Sequence, residues 1–151
     1  MSDGDDPSAK GKKRLRYSVS LMISHPHLKR AEMTRALGVT PMYGWDAGEP
    51  RRTPAGTPQP GNRWNTYWGF SNVTRGKRAF FAGAVGMLER LEKAADFIRG
   101  ITDSGGKISI TVGLYGGQNI GDAIGWSELV RFAALEVELG VEVFPTMQKR
   151  W

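Results

Sequence analysis

The stretch LRYSVSLMIS, residues 15–24, decides the fold because apolar and polar side chains alternate along it. Its odd-numbered positions are apolar from Leu15 to Ile23, whereas serine recurs at the even-numbered ones. A two-residue period is typical of a β-strand with one buried face and one face towards solvent. Such a strand predicts an α+β fold with one covered sheet face, and argues against a parallel sheet buried on both faces.

Three further strands continue the same period. They are predicted at residues 63–71, 107–114 and 138–143. In the first of them, Trp64 and Trp68 share a face with Phe70, so packing in the core is the simplest interpretation of both tryptophans.

Three helices are predicted between these strands. The first opens at Pro26 and ends at Gly38, where glycine can take the left-handed conformation. The longest lies near 79–99, with apolar residues at a 3.6-residue repeat, and the last is capped by Ser127. The order βαβαβαβ predicts about four strands in a largely antiparallel sheet, with the helices packed on one face.

The length of 151 residues suits one domain with a substantial core. We assign residues 14–147 to this domain. Residues 1–13 combine few apolar side chains with a basic run and predict a disordered tail, and residues 148–151 form a C-terminal tail. Residues 46–62 hold four prolines and three glycines and predict a long loop.

The formal net charge of +6 is unevenly distributed along the chain. Residues 1–16 and 17–62 each contribute +2, residues 63–100 contribute +4, and residues 101–151 contribute −2. Because much of the excess lies in the predicted tail or in segments predicted to build the core, the charge is a weak indication of nucleic-acid binding.

The residue types that most enzymes need are scarce. The chain has no cysteine and two histidines, His25 and His27, which predict exposed rings at a helix N-terminus. Without a third ligand nearby, we expect no metal site, and no serine lies in a nucleophile-elbow motif. The glycine-rich loop at 116–125 lacks the spacing of a phosphate-binding loop and is interpreted as a turn. We expect no catalytic residues and no cofactor.

The hydropathy of the sequence argues against a membrane protein. No apolar run approaches the ~18–20 residues that span a bilayer, and the N-terminus lacks the apolar core of a signal peptide. We therefore expect no membrane partner and a cytoplasmic location.

One group of residues combines tryptophan with arginine, two types enriched at binding hot spots. The group comprises Trp45, Glu49, Arg51, Arg52, Arg63, Trp64 and Trp68. Aromatic rings beside arginines can also stack on bases of single-stranded nucleic acid. Core packing, a protein interface and a nucleic-acid interface are the three interpretations of this group.

A family resemblance rests on the residues around this group. The run LGVTP at 37–41, followed by Trp45 and by GEP at 48–50, resembles the LG-x-x-P…W-x-x-G-x-P stretch of the bacterial family called domain of unknown function 4279. The order of strands and helices over residues 17–146 is similar as well. The resemblance implies a small α+β protein without established catalytic residues. Members that resemble immunity-type proteins imply protein binding.

The leading hypothesis is a non-enzymatic protein-binding module, of which an immunity protein is one form. The first alternative is nucleic-acid binding through the tail, Arg51, Arg52 and the basic turn at 75–78. The second is a small-molecule site that joins Trp45 to residues 116–122. The oligomeric state stays undetermined at this level.

Overall fold

The fold is α+β in the computed structural model, which describes residues 15–76, 79–116 and 119–145. Its elements are β1 (Leu15–His25), α1 (Arg30–Leu37), β2 (Tyr43–Trp45), β3 (Pro50–Arg52), β4 (Pro58–Asn62), β5 (Thr66–Gly76), α2 (Phe80–Glu92), α3 (Ala95–Asp103), β6 (Lys107–Tyr115), α4 (Trp126–Ala134) and β7 (Val137–Phe144). Five strands form a mixed sheet in the order β2-β5-β1-β6-β7, and β3 pairs with β4 in a separate hairpin.

Strand β1 lies at the centre of the sheet and determines which face is buried. It pairs antiparallel with β5 on one side and with β6 on the other. Its apolar side chains from Tyr17 to Ile23 are buried in one core with side chains from all four helices. The helix side chains include Met33, Leu88, Ile98 and Phe132. The predicted two-faced sheet is therefore present, with its helices on one face.

The sheet differs from the prediction in strand number and direction. It has five strands because Tyr43–Trp45 forms a short edge strand, β2, beside β5. Three residues with a central glycine are too few to show a period. The last strand, β7, runs parallel to β6, because α4 carries the chain back across the sheet between them.

The helix predicted near 79–99 is two helices. Ala94 leaves the helical conformation, with φ −117° and ψ 34°, and separates α2 from α3. Both helices pack on the same sheet face, so the apolar repeat continues across the break. The predicted cap of the last helix is also wrong: α4 begins at Trp126 after Gly125, and the Ser127 hydroxyl bonds to the Glu128 carboxylate.

The first helix ends as predicted but begins later. Gly38 follows α1 with φ 66° in the left-handed region. Before the helix, the buried His25 accepts the backbone N–H groups of His27 and Leu28 at its Nδ1. These two bonds hold the turn around Pro26, so the helix starts only at Arg30. The prediction of exposed rings is wrong for His25, whereas His27 is exposed.

Residues 46–62 contain the β3–β4 hairpin, whose prolines are tolerated because neither strand is inside a larger sheet. The tails predicted at 1–13 and 148–151 lie outside the described residues, as do Lys77 and Arg78 of the basic turn. Within the described ranges, no helix is both long and apolar enough to cross a membrane.

Candidate functional site

A stack of four side chains lies where β2 pairs with β5. The Arg63 guanidinium carbon is 3.9 Å from the centre of the Trp45 ring. Trp45 also stacks on Tyr67 at 5.0 Å, and Tyr67 stacks on Tyr43 at 6.0 Å. The register places Trp45 directly opposite Tyr67, so the pairing itself brings the rings together. The Trp45 ring is therefore already in contact with a guanidinium and with a second aromatic ring.

The chain after Trp45 is tied to helix α1 by one arginine. Asp46 accepts the Arg30 backbone N–H at 2.8 Å and its Nε at 3.3 Å, and Glu49 accepts from Arg30 Nη2 at 3.1 Å. Burial acts to raise the pKa of Asp46, but the Arg30 hydrogen bonds and charge outweigh it and lower that pKa. Arg30 contacts both carboxylates and balances one of the two negative charges of this segment.

Backbone bonds close the base of the hairpin. The Gly48 N–H donates to the Arg63 carbonyl at 2.8 Å, and the Arg63 N–H donates to the Glu49 carbonyl at 2.7 Å. Arg63 also donates from Nη2 to the Arg52 carbonyl at 3.0 Å. Gly48 has φ 87°, a conformation that glycine adopts without strain. Arg63 thus joins both hairpin strands and the aromatic stack.

The outer side of this arrangement carries an exposed tryptophan among arginines. Trp64 is 84% exposed, and Arg51 and Arg52 are exposed on the hairpin. A cavity of about 200 Å³ lies between them and the stack. It is lined by Trp45, Arg51, Asn62, Arg63, Trp64 and Asn65. Its volume is below the ~300 Å³ of ordinary ligand pockets and suits a single inserted side chain.

We define the hairpin surface as Arg51, Arg52, Arg63 and Trp64 together with Trp45 beneath them. The structure brings together these five of the seven residues that the sequence selected. Glu49 lies at the base of the hairpin, where its carboxylate accepts a hydrogen bond from Arg30. Its contribution there is electrostatic. Trp68 is not part of it, because its side chain is buried on the helix face and donates from Nε1 to Thr34 at 3.1 Å.

The prediction that both tryptophans pack in the core is correct for Trp68 and wrong for Trp64. Strand β5 begins at Thr66, which is buried, so the alternation that would bury residue 64 does not extend to it. Sequence reasoning also missed Arg30 as the anchor and Asn65, which accepts a hydrogen bond from Trp45 at 3.3 Å. Neither has a local signal, since Arg30 looks like any solvated helix residue.

A second concavity lies at the other end of the sheet. It measures about 480 Å³ between helix α2 and residues 122–125, with Phe81, Val85 and Ile124 among its walls. Trp45 is paired with Tyr67 on β5, which is paired through β1 with Lys107 at the start of β6. The glycine-rich loop follows the other end of β6. Trp45 and residues 119–122 therefore do not form one small-molecule site, and that hypothesis is wrong in its geometry.

The described ranges 15–76, 79–116 and 119–145 contain no cluster of three His, Cys, Asp or Glu side chains that could hold a metal ion. The buried His25 serves a structural purpose. Its Nε2 lies 2.7 Å from the Ser104 hydroxyl, which in turn donates to the Gly100 carbonyl at 2.6 Å. Burial, with the nearby His27, lowers the pKa of His25 despite the opposing charge of Glu32.

These elements define the class of the protein: an α+β domain with a separate hairpin beside its sheet, where arginine and tryptophan side chains lie together. The chain belongs to the family described as Domain of unknown function (DUF4279), whose profile matches residues 15–144. This match confirms the resemblance carried by the LGVTP and GEP runs. No curated protein matches the chain, and no solved structure does.

Proposed function

We propose that this protein is a non-enzymatic protein-binding module, which docks an acidic partner through the hairpin surface. The observation that carries the proposal is the exposure of Trp64 beside Arg51 and Arg52. Tryptophan and arginine supply most of the binding energy at many interfaces. An immunity-type role against a partner protein is one form of this proposal.

The scaffold beneath Trp64 is organised before any partner arrives. Arg63 lies on Trp45 and bonds to the hairpin backbone, and Arg30 holds the preceding segment through Asp46. Because these groups are already ordered, binding loses less conformational entropy than it would on a free loop. Rigid support of this kind favours recognition of one partner geometry.

The charges define the chemistry of the partner. Arg51 and Arg52 are exposed, while the acids Asp46 and Glu49 are engaged by Arg30. The surface is therefore cationic around an apolar ring. An acidic patch with one apolar or aromatic side chain would complement it, the side chain entering the 200 Å³ cavity.

The same geometry makes base stacking the weaker candidate. Single-stranded nucleic acid needs open aromatic faces. Trp45 is already stacked against both Arg63 and Tyr67. Trp64 alone would provide one platform, with Arg51 and Arg52 as phosphate contacts. Protein binding uses all of these groups and is preferred for that reason.

The test compares two equally exposed tryptophans. The immobilised wild-type chain, Trp64→Ala and Trp126→Ala are each exposed to extract of the source organism, and retained proteins are quantified by mass spectrometry. Trp126 is 80% exposed on α4 and serves as the matched control. We expect an acidic protein to be retained by the wild type and by Trp126→Ala, and lost with Trp64→Ala.

Two outcomes contradict the proposal. One is retention of the same proteins by all three chains. The other is tight binding of a labelled single-stranded oligonucleotide that Trp64→Ala abolishes and that weakens steeply with salt, because multiple phosphate contacts release counterions. The latter result would assign the hairpin surface to nucleic acid.

A further inference from the structure

Among the described residues, strand β7 has the longest unpaired edge of the sheet. It comprises eight residues, Val137–Phe144, and follows β6 at the end of the strand order. Among the described residues, no strand pairs with its outer side. At the opposite end, β2 has only three residues and pairs with residues 67–69 of β5, so residues 70–76 of β5 are also unpaired on their outer side among the described residues. Long edge strands are templates for pairing with a further chain, and short ones are protected.

The backbone of β7 presents outward hydrogen-bonding groups at odd-numbered residues. The Phe144 carbonyl accepts the Gly116 N–H at 3.4 Å, so the backbone groups of Phe144 face β6. The register with β6 continues without a bulge from Val137 to Phe144. Because successive residues alternate in direction, the N–H and C=O groups of Leu139, Val141 and Val143 point away from the sheet.

The same three residues form an apolar row on the helix face. Leu139 packs against the core, but Val141 is 51% exposed and Val143 is 61% exposed. Helix α4, which packs on β7, adds exposed apolar side chains beside them. They include Leu129 and Val130. An unpaired edge flanked by exposed valines is a surface that pairing would cover.

Two-fold registers centred on Gly140 or on Val141 pair the most residues within Val137–Phe144, and charge decides between these two. Antiparallel pairing centred on Gly140 would place Glu138 opposite Glu142 of the partner subunit, where like charges repel. Centring on Val141 instead places Glu142 opposite Gly140 of the partner subunit and Glu138 opposite Phe144 of the partner subunit. It also pairs Leu139 with the partner subunit's Val143, which continues the apolar row across the interface.

We propose that two copies of this chain associate through β7, antiparallel, with Val141 facing Val141 of the partner subunit. The outward backbone groups of Leu139, Val141 and Val143 then pair across the two-fold axis. The two five-stranded sheets become one continuous sheet of ten strands. The hairpin surface lies at the far edges of this sheet, so the dimer carries two copies of it.

The absence of cysteine makes a direct test possible, since any introduced thiol is the only one. Val141→Cys places two thiols opposite each other across a hydrogen-bonded pair, where Cα atoms are about 5.5 Å apart and a disulfide is feasible. Under mild oxidation, we expect Val141→Cys to form a covalent dimer. Leu139→Cys and Val143→Cys should each stay monomeric on denaturing gels, whereas an equimolar mixture of the two should form the dimer.

The control is Val73→Cys, another exposed strand valine on β5. Cross-linking of Val73→Cys at the same rate as Val141→Cys would show random collision and overturn the proposal. So would equal cross-linking of Val143→Cys alone, which needs a different register. Sedimentation equilibrium of the wild type must show a dimer; a monomer at all accessible concentrations overturns the proposal, even if a foreign strand later binds to β7.

Discussion

Arg30 illustrates how much one side chain contributes when it meets several groups at once. It contacts Asp46 and Glu49, and its own N–H is held by Asp46. The lowered pKa of Asp46 means that the folded protein favours the charged carboxylate. This stabilisation is present above the unfolded pKa, near 3.8, and is lost as pH falls through the lower folded pKa.

Asp46→Asn is therefore expected to lower the free energy of unfolding by about 1 kcal/mol at pH 7, because an amide keeps one acceptor but loses the charge. The difference from the wild type should shrink as the pH falls below 4. Urea unfolding at several pH values measures it. Asp96→Asn is the control, since the Asp96–Arg99 pair spans 3.9 Å on an exposed helix. Equal losses in both variants would contradict the argument.

His25 provides a second dependence on pH. Its Nδ1 must stay unprotonated to accept two backbone N–H groups, and its pKa is lowered in the folded state. The unfolded chain takes up a proton near its ordinary pKa of 6.5, while the folded chain does so only at lower pH. The contribution of His25 to the unfolding free energy is therefore fully present above pH 6.5 and declines as the pH falls from there through the folded pKa of His25.

His25→Asn should flatten this decline, because asparagine can accept the same backbone N–H groups without titrating. The measurement is the change in unfolding free energy between pH 7.5 and pH 5, not its absolute value. His27→Asn, at the exposed histidine, should retain the decline because His25 is still present. A decline that survives in His25→Asn would exclude His25 as its source.

At the scale of elements, the sequence predicts the end of a helix correctly where a single residue determines it, as Gly38 does for α1. Gly38 has φ 66°, and a Cβ added there would meet no atom within 4 Å, so the conformation alone selects glycine. Gly38→Ala should lower the unfolding free energy by about 1 kcal/mol. Thermal or urea unfolding measures this loss.

Gly86 is the matched control within α2. It also has no atom within 4 Å of an added Cβ, but its backbone is helical. Gly86→Ala should therefore raise the unfolding free energy by about 0.5–1 kcal/mol. Opposite signs for the two variants are expected, and the same sign in both would contradict the conformational explanation.

Element boundaries were predicted less well where packing outweighed local preference. Ala94 interrupts the long apolar repeat, although alanine has the highest helix propensity. Both α2 and α3 bury their apolar sides against the same sheet face, so the repeat cannot reveal the break between them. Strand β2 was missed because its partner, β5, lies about twenty residues further along the chain.

At the scale of the whole molecule, the two tryptophans near β5 separate stability from binding. Trp68 is buried and hydrogen-bonded to Thr34, whereas Trp64 is exposed on the hairpin surface. Trp68→Phe should lower the unfolding free energy by about 2 kcal/mol, since it removes buried volume and leaves the Thr34 hydroxyl without its donor. Trp64→Phe should change it by less than about 0.5 kcal/mol.

Chemical unfolding of both variants tests this assignment, and the identical substitution makes each the control for the other. A large loss in Trp64→Phe would mean that Trp64 supports the fold and is not available for binding. The seven candidate residues were chosen by composition, and five of them do form one surface. The anchoring of that surface by Arg30 required the tertiary structure, because Asp46 and Glu49 lie well beyond α1 in sequence.

The sequence by itself determined the two faces of the sheet, the end of α1 at Gly38 and the family. These features depend on local periodicity, on the conformational freedom of glycine, or on short runs such as LGVTP. Only the tertiary structure decided that β7 is parallel, that His25 is buried, and that Trp64 points outward while Trp68 points inward. The physical reason is that strand pairing and burial depend on contacts between distant segments, and a local pattern does not specify which segments meet.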